Sequence, residues 1–155
     1  MGKATAIAMA QAGVAGLILF ARSDLSGVKE ACLAAKRAGR SLEVLTLLVD
    51  ISKNEQVVAA VRRAEEVFGR LDIVINNAAR VEDYKLLADS DPADWWATWD
   101  INVRGTYHVI HATLPFLVKC DGDKTIINVN SAGSTFVLPT LSSYSVSSSF
   151  INIDL

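Results

Sequence analysis

The chain has 155 residues and a formal net charge of −2; 51% of its residues are apolar and 21% are charged. That composition sustains a packed core and excludes a disordered or collagen-like chain, and the length suits one domain. No block of like charge stands out, which argues against a nucleic-acid partner, because backbone phosphates call for a basic face.

Lys3 is followed by an apolar run, Ala4–Ala21, long enough to resemble a signal peptide or a membrane span. Gln11 interrupts it, and Gly13 and Gly16 divide it into a helical half and a β-like half, so the expectation is no membrane. Ala6 stands where N-myristoylation needs Ser or Thr, so the Met1-Gly2 start carries no weight. Residues 3–12 are predicted as an alanine-rich helix stopped by Gly13, and Leu17–Ala21 as a buried strand. Residues 27–38 are predicted as a helix ending at Gly39, where a left-handed cap costs little. Leu42–Val49 is a second strand. Residues 53–68 carry the clearest helical period, with Val57, Val58, Val61, Ala64, Val67 and Phe68 on one face and Arg62, Arg63, Glu65 and Glu66 towards water. Leu71–Asn76 is the third strand. After a longer loop, Asp91 as N-cap, Pro92 at the first helical position and Asp94 near the positive pole start a helix that runs, kinked, to about Val118. Pro115 should bend or end it. Lys124–Asn130 is a fourth strand, and a further helix begins near Ser142. Cys32 and Cys120 match no zinc or redox spacing and fit reduced thiols in a cytoplasmic protein.

Strands that are apolar along their length and alternate with helices imply an α/β fold with a parallel sheet covered on both faces. Such sheets bind ligands at the carboxyl ends of their strands. Arg22 follows the first strand with no acid at position 21. In a dinucleotide fold a cation there favours a 2′-phosphate, and the alternative is a solvated surface arginine. Asp50 follows the second strand and either accepts from an adenine amino group or caps the next helix. Asn76-Asn77-Ala78-Ala79 follows the third, where small residues let a cofactor approach the backbone; a plain turn is the alternative. The fourth leads to Ser131, and Tyr144 lies thirteen residues beyond it.

In this order the residues resemble the short-chain dehydrogenase/reductase family over nearly the whole chain. The residues that carry the resemblance are Gly2-Lys3-Ala4, Asp50, Leu71-Asp72, Asn76-Asn77-Ala78, Asn102 within Asn102-Val103-Arg104-Gly105, Ser131, and Tyr144-Ser145-Val146-Ser147. The resemblance implies a Rossmann-like, doubly wound parallel sheet and hydride transfer between a nicotinamide and an alcohol or carbonyl carbon. It implies that Ser131 polarises the substrate oxygen, that Tyr144 is the general acid or base, and that Asn102 holds a water in a proton relay. Gly2, Arg22, Asp50, Asn76 and Ala78 would serve the cofactor, with NADP(H) favoured over NAD(H) through Arg22, and Asp72 would steady the loops near the adenine. The substrate class is a small alcohol or carbonyl compound.

Three departures qualify this. The family places a lysine four residues after the tyrosine, on the same helix face, and here that position is Ser148. An unperturbed tyrosine has a pKa of about 10, so only about one in a thousand is ionised at pH 7 without such help. Of the glycine-rich phosphate-binding turn only Gly2 remains, and the family's preceding strand, central in its sheet, has no counterpart before Met1. Leu155 falls inside the helix that carries Tyr144, ahead of the family's later strands. The expectation is therefore one partial dinucleotide-binding domain over residues 1–155, with its sheet incomplete and its activity impaired. The alternative is a non-catalytic fragment or pseudoenzyme that packs against a partner.

Other residues are set aside. His108 and His111 lie three apart but lack a third ligand, so no metal is expected. Trp95, Trp96 and Trp99 read as packing or interface residues rather than as a substrate platform. The resemblance adds a homo-oligomer contact through this helix and the tyrosine-bearing one. Glu82 and Asp83, after the Asn-Asn-Ala-Ala turn, either face the substrate mouth or are exposed loop acids, the commoner case.

Overall fold

The apolar run at the start of the chain divides where its glycines predict. Helix α1 spans Gly2–Ala12 and closes on Gly13, which sits in the left-handed region at φ 92° and donates its N–H to the carbonyls of Met9 and Ala10. Strand β1, Gly16–Ala21, follows. The structure, a computed structural model, describes residues 1–136 and 138–150, which cluster into two units. No helix among them is long and apolar enough to cross a membrane.

The first unit comprises residues 1–50 and 55–70. Helix α2, Ser26–Ala35, follows β1 and packs on α1; strand β2, Glu43–Leu48, then pairs in parallel with β1, Gly16 opposite Glu43 and Ala21 opposite Leu48. The N–H of Val49 adds one more rung to the Ala21 carbonyl at 2.8 Å. Ala6, Ala10, Cys32 and Val44 are buried together, with Ile7, Leu17, Leu19, Val28 and Leu42 packed around them. The small side chains of α1 let it lie close, and burial raises the Cys32 thiol above its ordinary pKa. Helix α2 ends before the expected boundary: Lys36 is extended, and Gly39 takes its positive φ of 75° in the turn beyond. Helix α3, Asn54–Phe68, buries Val57, Ala60, Val61 and Ala64, and Gly69 ends it with φ 65°. Val58, expected on that face, is exposed, because it lies one position from the centre of the stripe and turns towards water. Gly16 is required for a different reason: a Cβ there would stand 2.6 Å from the Phe68 ring.

The second unit comprises residues 51–54 and 71–155 as far as they are described. Strand β3, Ile73–Asn76, pairs in parallel with β4, Thr125–Asn128, residue for residue. The N–H of Val129 extends that ladder to the Asn76 carbonyl at 2.9 Å. Helix α4, Pro92–Trp99, starts as predicted, with Asp91 accepting from the Ala93 N–H at 2.7 Å. The helix does not end at Pro115: residues Asp100–Gly105 form a π-helical segment, and helix α5, Thr106–Val118, continues through Pro115. Loss of one N–H at Pro115 is offset because the turn it would break buries Phe116 and Leu117, at 3% and 2% exposure. Gly105 closes the π segment where a Cβ would meet the Ile51 side chain at 2.7 Å. Helix α6 spans Ser142–Ser149; residues 151–155, and with them Leu155, lie outside those described.

The strands are half-buried rather than covered along their length. Among the described residues each unit has a two-stranded sheet in which each strand keeps one edge unpaired, and Leu48 and Ile127 face solvent at 69% and 44%.

Candidate active site

Leu141 precedes α6 and has no side chain that could cap it. The cap arrives from sixty residues earlier. Glu82 is buried, and its Oε1 accepts from the N–H of Ser143 at 2.7 Å and of Tyr144 at 3.1 Å, while Oε2 accepts from Tyr144 at 2.9 Å. A carboxylate at the positive end of a helix is favoured twice, by the charge-assisted bonds and by the macrodipole. The expectation of an exposed loop acid fails at Glu82. The signal that could have found it is the apolar residue at the N-cap of α6, which leaves that helix's amides to be satisfied by a distant group.

Tyr144 lies in the first turn of α6, half-buried. Ser131 follows β4 and starts a short 3-10 turn, its Oγ accepting from the Gly133 N–H at 3.1 Å. Gly133 is buried against the Tyr144 ring, where a Cβ would meet two ring carbons at 3.4 Å. One glycine thus separates the Ser131 hydroxyl from the tyrosine ring. Asn102 sits in the π segment, 1% exposed, and its amide is fully used. Its Oδ1 accepts from the Arg80 N–H at 2.8 Å, and its Nδ2 donates to the Arg80 carbonyl at 3.0 Å and to Ser147 Oγ at 2.9 Å. Ser147 Oγ donates in turn to the Tyr144 carbonyl at 3.1 Å. Asn102, Ser131 and Tyr144 therefore gather in the second unit.

The loop between β3 and α4 is pinned from several sides. The Arg80 guanidinium reaches the Asp94 carboxylate, the Asp94 carbonyl at 3.1 Å and the buried Thr98 hydroxyl at 2.9 Å. The Asp83 N–H donates to Asp94 Oδ2 at 2.8 Å. That N–H and the Arg80 guanidinium hold the Asp94 carboxyl below its ordinary pKa. Asn76 donates through Nδ2 to Asn128 Oδ1 at 2.8 Å across the β3–β4 ladder, and Ala78 is exposed just beyond it. Asn77 Oδ1 is buried with no partner among the described residues. Ser148 is 3% exposed, one turn after Tyr144.

Trp95, Trp96 and Trp99 form one aromatic cluster, in which Trp95 donates through Nε1 to Ser142 Oγ at 3.0 Å. A hollow of about 400 Å³ lined by Trp96, Trp99, Tyr107 and Phe150 includes neither Ser131 nor Tyr144. His108 Nδ1 is engaged with the Ile51 carbonyl at 2.9 Å.

In the first unit, Arg22 and Asp50 line one recess of about 390 Å³ at the carboxyl ends of β1 and β2, together with Leu48, Val49 and Gln56. Gln56 Oε1 accepts from the Asp50 N–H at 2.8 Å, a contact the sequence did not announce. Gly2 opens α1, whose N-terminus has no side-chain cap.

A family model described as enoyl-(acyl carrier protein) reductase matches residues 1–152. The chain is 48% identical over 146 residues to the short chain dehydrogenase mpl6 of Monascus purpureus, covering 93% of this chain and 50% of that one. It is 35% identical to the short chain dehydrogenase andI of Emericella variicolor, with the same coverage. Among solved structures it is similar to levodione reductase, at TM-score 0.88 and 28% identity, covering 97% of this chain and 57% of that one. A 3-ketoacyl-ACP reductase from Sinorhizobium meliloti matches at TM-score 0.84 and 31% identity, covering 96% and 57%. The chain spans about half the length of the curated relatives it matches. Its fold is a Rossmann-like α/β arrangement, and the chain belongs to the short-chain dehydrogenase/reductase family.

Proposed function

We propose that residues 1–155 are a partial dinucleotide-binding domain of an oxidoreductase that interconverts a small alcohol and a carbonyl compound, with NADP(H) preferred over NAD(H). The observation that carries the reading is the linkage of Ser131, Tyr144 and Asn102 through Gly133 and Ser147, within a member of this family. The residues present suit the cofactor's chemistry. Arg22, lining the recess of the first unit, offers a cation for a 2′-phosphate, and Asp50, lining the same recess, offers an acceptor for an adenine amino group. The uncapped N-terminus of α1 at Gly2 suits an anion. Asn76 and Ala78 end β3 with an amide and a small exposed side chain.

When bound, the nicotinamide supplies the hydride. The chain's own residues handle the oxygen of the substrate: the Ser131 hydroxyl donates to it, and the Tyr144 phenol gives or takes its proton. Asn102 has no free side-chain polar atom, so its part is to lock Arg80 and Ser147 around Tyr144. Exposed Trp96, Tyr107 and Phe150 support association of copies through α4, α5 and α6. The cytoplasm is the compartment that two free buried thiols suit.

Ser148 favours a second reading at the same site. A buried hydroxyl stands where the family's lysine would be, so this chain binds cofactor but turns substrate over slowly. Thermal melts test both. NADPH at a hundred times its Kd should raise Tm by roughly 5–10 °C, with NADH giving less at the same concentration. No rise with either nucleotide overturns cofactor binding, and an equal rise overturns the preference.

A further inference from the structure

We propose that Glu82 is a positioning residue for Tyr144: its carboxylate closes the N-terminus of α6, fixes the backbone of the tyrosine, and so sets where the phenol is presented. Calling it so rests on the oxidoreductase reading above. The placement itself rests on the contacts.

Three observations combine. First, α6 has eight residues and an apolar N-cap, so nothing local holds its first amides. A helix this short is marginal alone and depends on its packing and caps. Second, both Glu82 oxygens are spent on that end, and one of the two amides they hold is that of Tyr144 itself. The carboxylate is 5% exposed, so water does not readily replace it when it leaves. Third, the loop that carries Glu82 is anchored on both sides. Arg80 is held through its backbone by Asn102 and through its guanidinium by Asp94 and Thr98, and the Asp83 N–H is held by Asp94. Glu82 therefore transmits the position of a pinned loop to the helix that bears the phenol. Asn102 grips the same helix one turn later, through Ser147. Tyr144 sits between these two holds.

The test uses the full chain labelled with 3-fluorotyrosine, with the Tyr144 fluorine line assigned by its loss in Tyr144→Phe. In the parent this line should be single and narrow. Glu82→Ala should move or broaden it and raise amide exchange at Ser143 and Tyr144 by about tenfold or more, as expected of amides released from a cap. Glu82→Gln keeps one acceptor for two donors and should recover part of both effects. In a Ser148→Lys background that reduces a ketone, Glu82→Ala should lower kcat by about tenfold to a hundredfold, as misplacement of a reacting group does, with KM for NADPH within about twofold. An unmoved Tyr144 line and unchanged exchange in Glu82→Ala overturn the proposal. If Glu82→Ala does not fold, a Glu82→Gln protein identical to the parent in both measurements overturns it equally. A shifted line with a proportional loss in NADPH affinity and no loss in kcat also overturns the positioning role, leaving a cap alone. If NADPH neither binds nor is consumed while the Tyr144 line still responds to Glu82, the oxidoreductase reading falls and the hold on Tyr144 stands.

Discussion

Asp94 shows how much one residue's neighbours decide. Its place in the first turn of α4, behind Asp91 and Pro92, is legible in the sequence, because an acid near a helix's positive pole is favoured locally. Its bonds to Arg80 and Asp83, fourteen and eleven residues away, are not legible, because they depend on how the intervening loop returns. The same holds for Glu82, whose partners lie more than sixty residues ahead. The Asp83 N–H and the Arg80 guanidinium both favour the ionised carboxyl of Asp94 and depress its pKa in the folded state. A depressed carboxyl contributes stability that is present above its unfolded pKa and lost as pH falls through the folded one. Denaturant melts should therefore show the gap between parent and Asp94→Asn at neutral pH closing as pH falls below the ordinary carboxylate range. A gap of constant size across that range would mean that neither the Asp83 N–H nor the Arg80 guanidinium favours the ionised carboxyl.

At the scale of elements, the strands and α3 follow from periodicity; Gly39 misplaces the end of α2 by a few residues, and Val58 misleads only about which face it lies on. The π segment from Asp100 to Gly105 has no such signature. One inserted residue shifts the apolar stripe by a fraction of a turn, which a period count absorbs as noise, whereas Pro115 advertises a break that tertiary burial then prevents. What the π segment accomplishes is visible only in space: it brings Asn102 inward to hold Arg80 on one side and Ser147 on the other. Asn102→Ala leaves the Arg80 N–H and carbonyl without their partner in a part-buried place. We expect a loss of about 2–4 kcal/mol in urea melts, with an unchanged m-value. Asn102→Asp should not restore it, because the carboxylate keeps the acceptor for the Arg80 N–H but faces the Arg80 carbonyl with a second acceptor. A loss below about 0.5 kcal/mol, the size of an ordinary surface change, would show that the π segment is held by the packing of α4 and α5 alone.

For the molecule as a whole, the alternation of strands and helices and the residues at strand ends were enough to announce the fold, since both follow from local pattern. The sheet was expected to be incomplete at its centre, and among the described residues it consists of two two-stranded parallel ladders, one in each unit. The sequence could not show that Ser148 is buried, which decides what the substitution of the family's lysine costs. Position 148 is one helical turn from Tyr144 and shares its face, so an ammonium there would lie beside the phenol and favour its ionised form. Burial works against it: a four-carbon stem at a site 3% exposed crowds its neighbours, and Ser148→Lys should lose about 1–3 kcal/mol. Ser148→Met carries a similar bulk without the charge and should pay the same steric penalty. The two variants separate packing from electrostatics. If Tyr144 is the acid–base group, NADPH-dependent reduction of a ketone panel should rise in Ser148→Lys by about 10²–10⁴ over Ser148→Met, the range that positioned proton transfer supplies. Initial rates for the parent and both variants, taken with NADPH binding confirmed by thermal shift, measure this directly. A folded, cofactor-binding Ser148→Lys protein no faster than Ser148→Met would remove Tyr144 from the chemistry, whatever the family resemblance implies, because the charge it lacks would then have been supplied without effect.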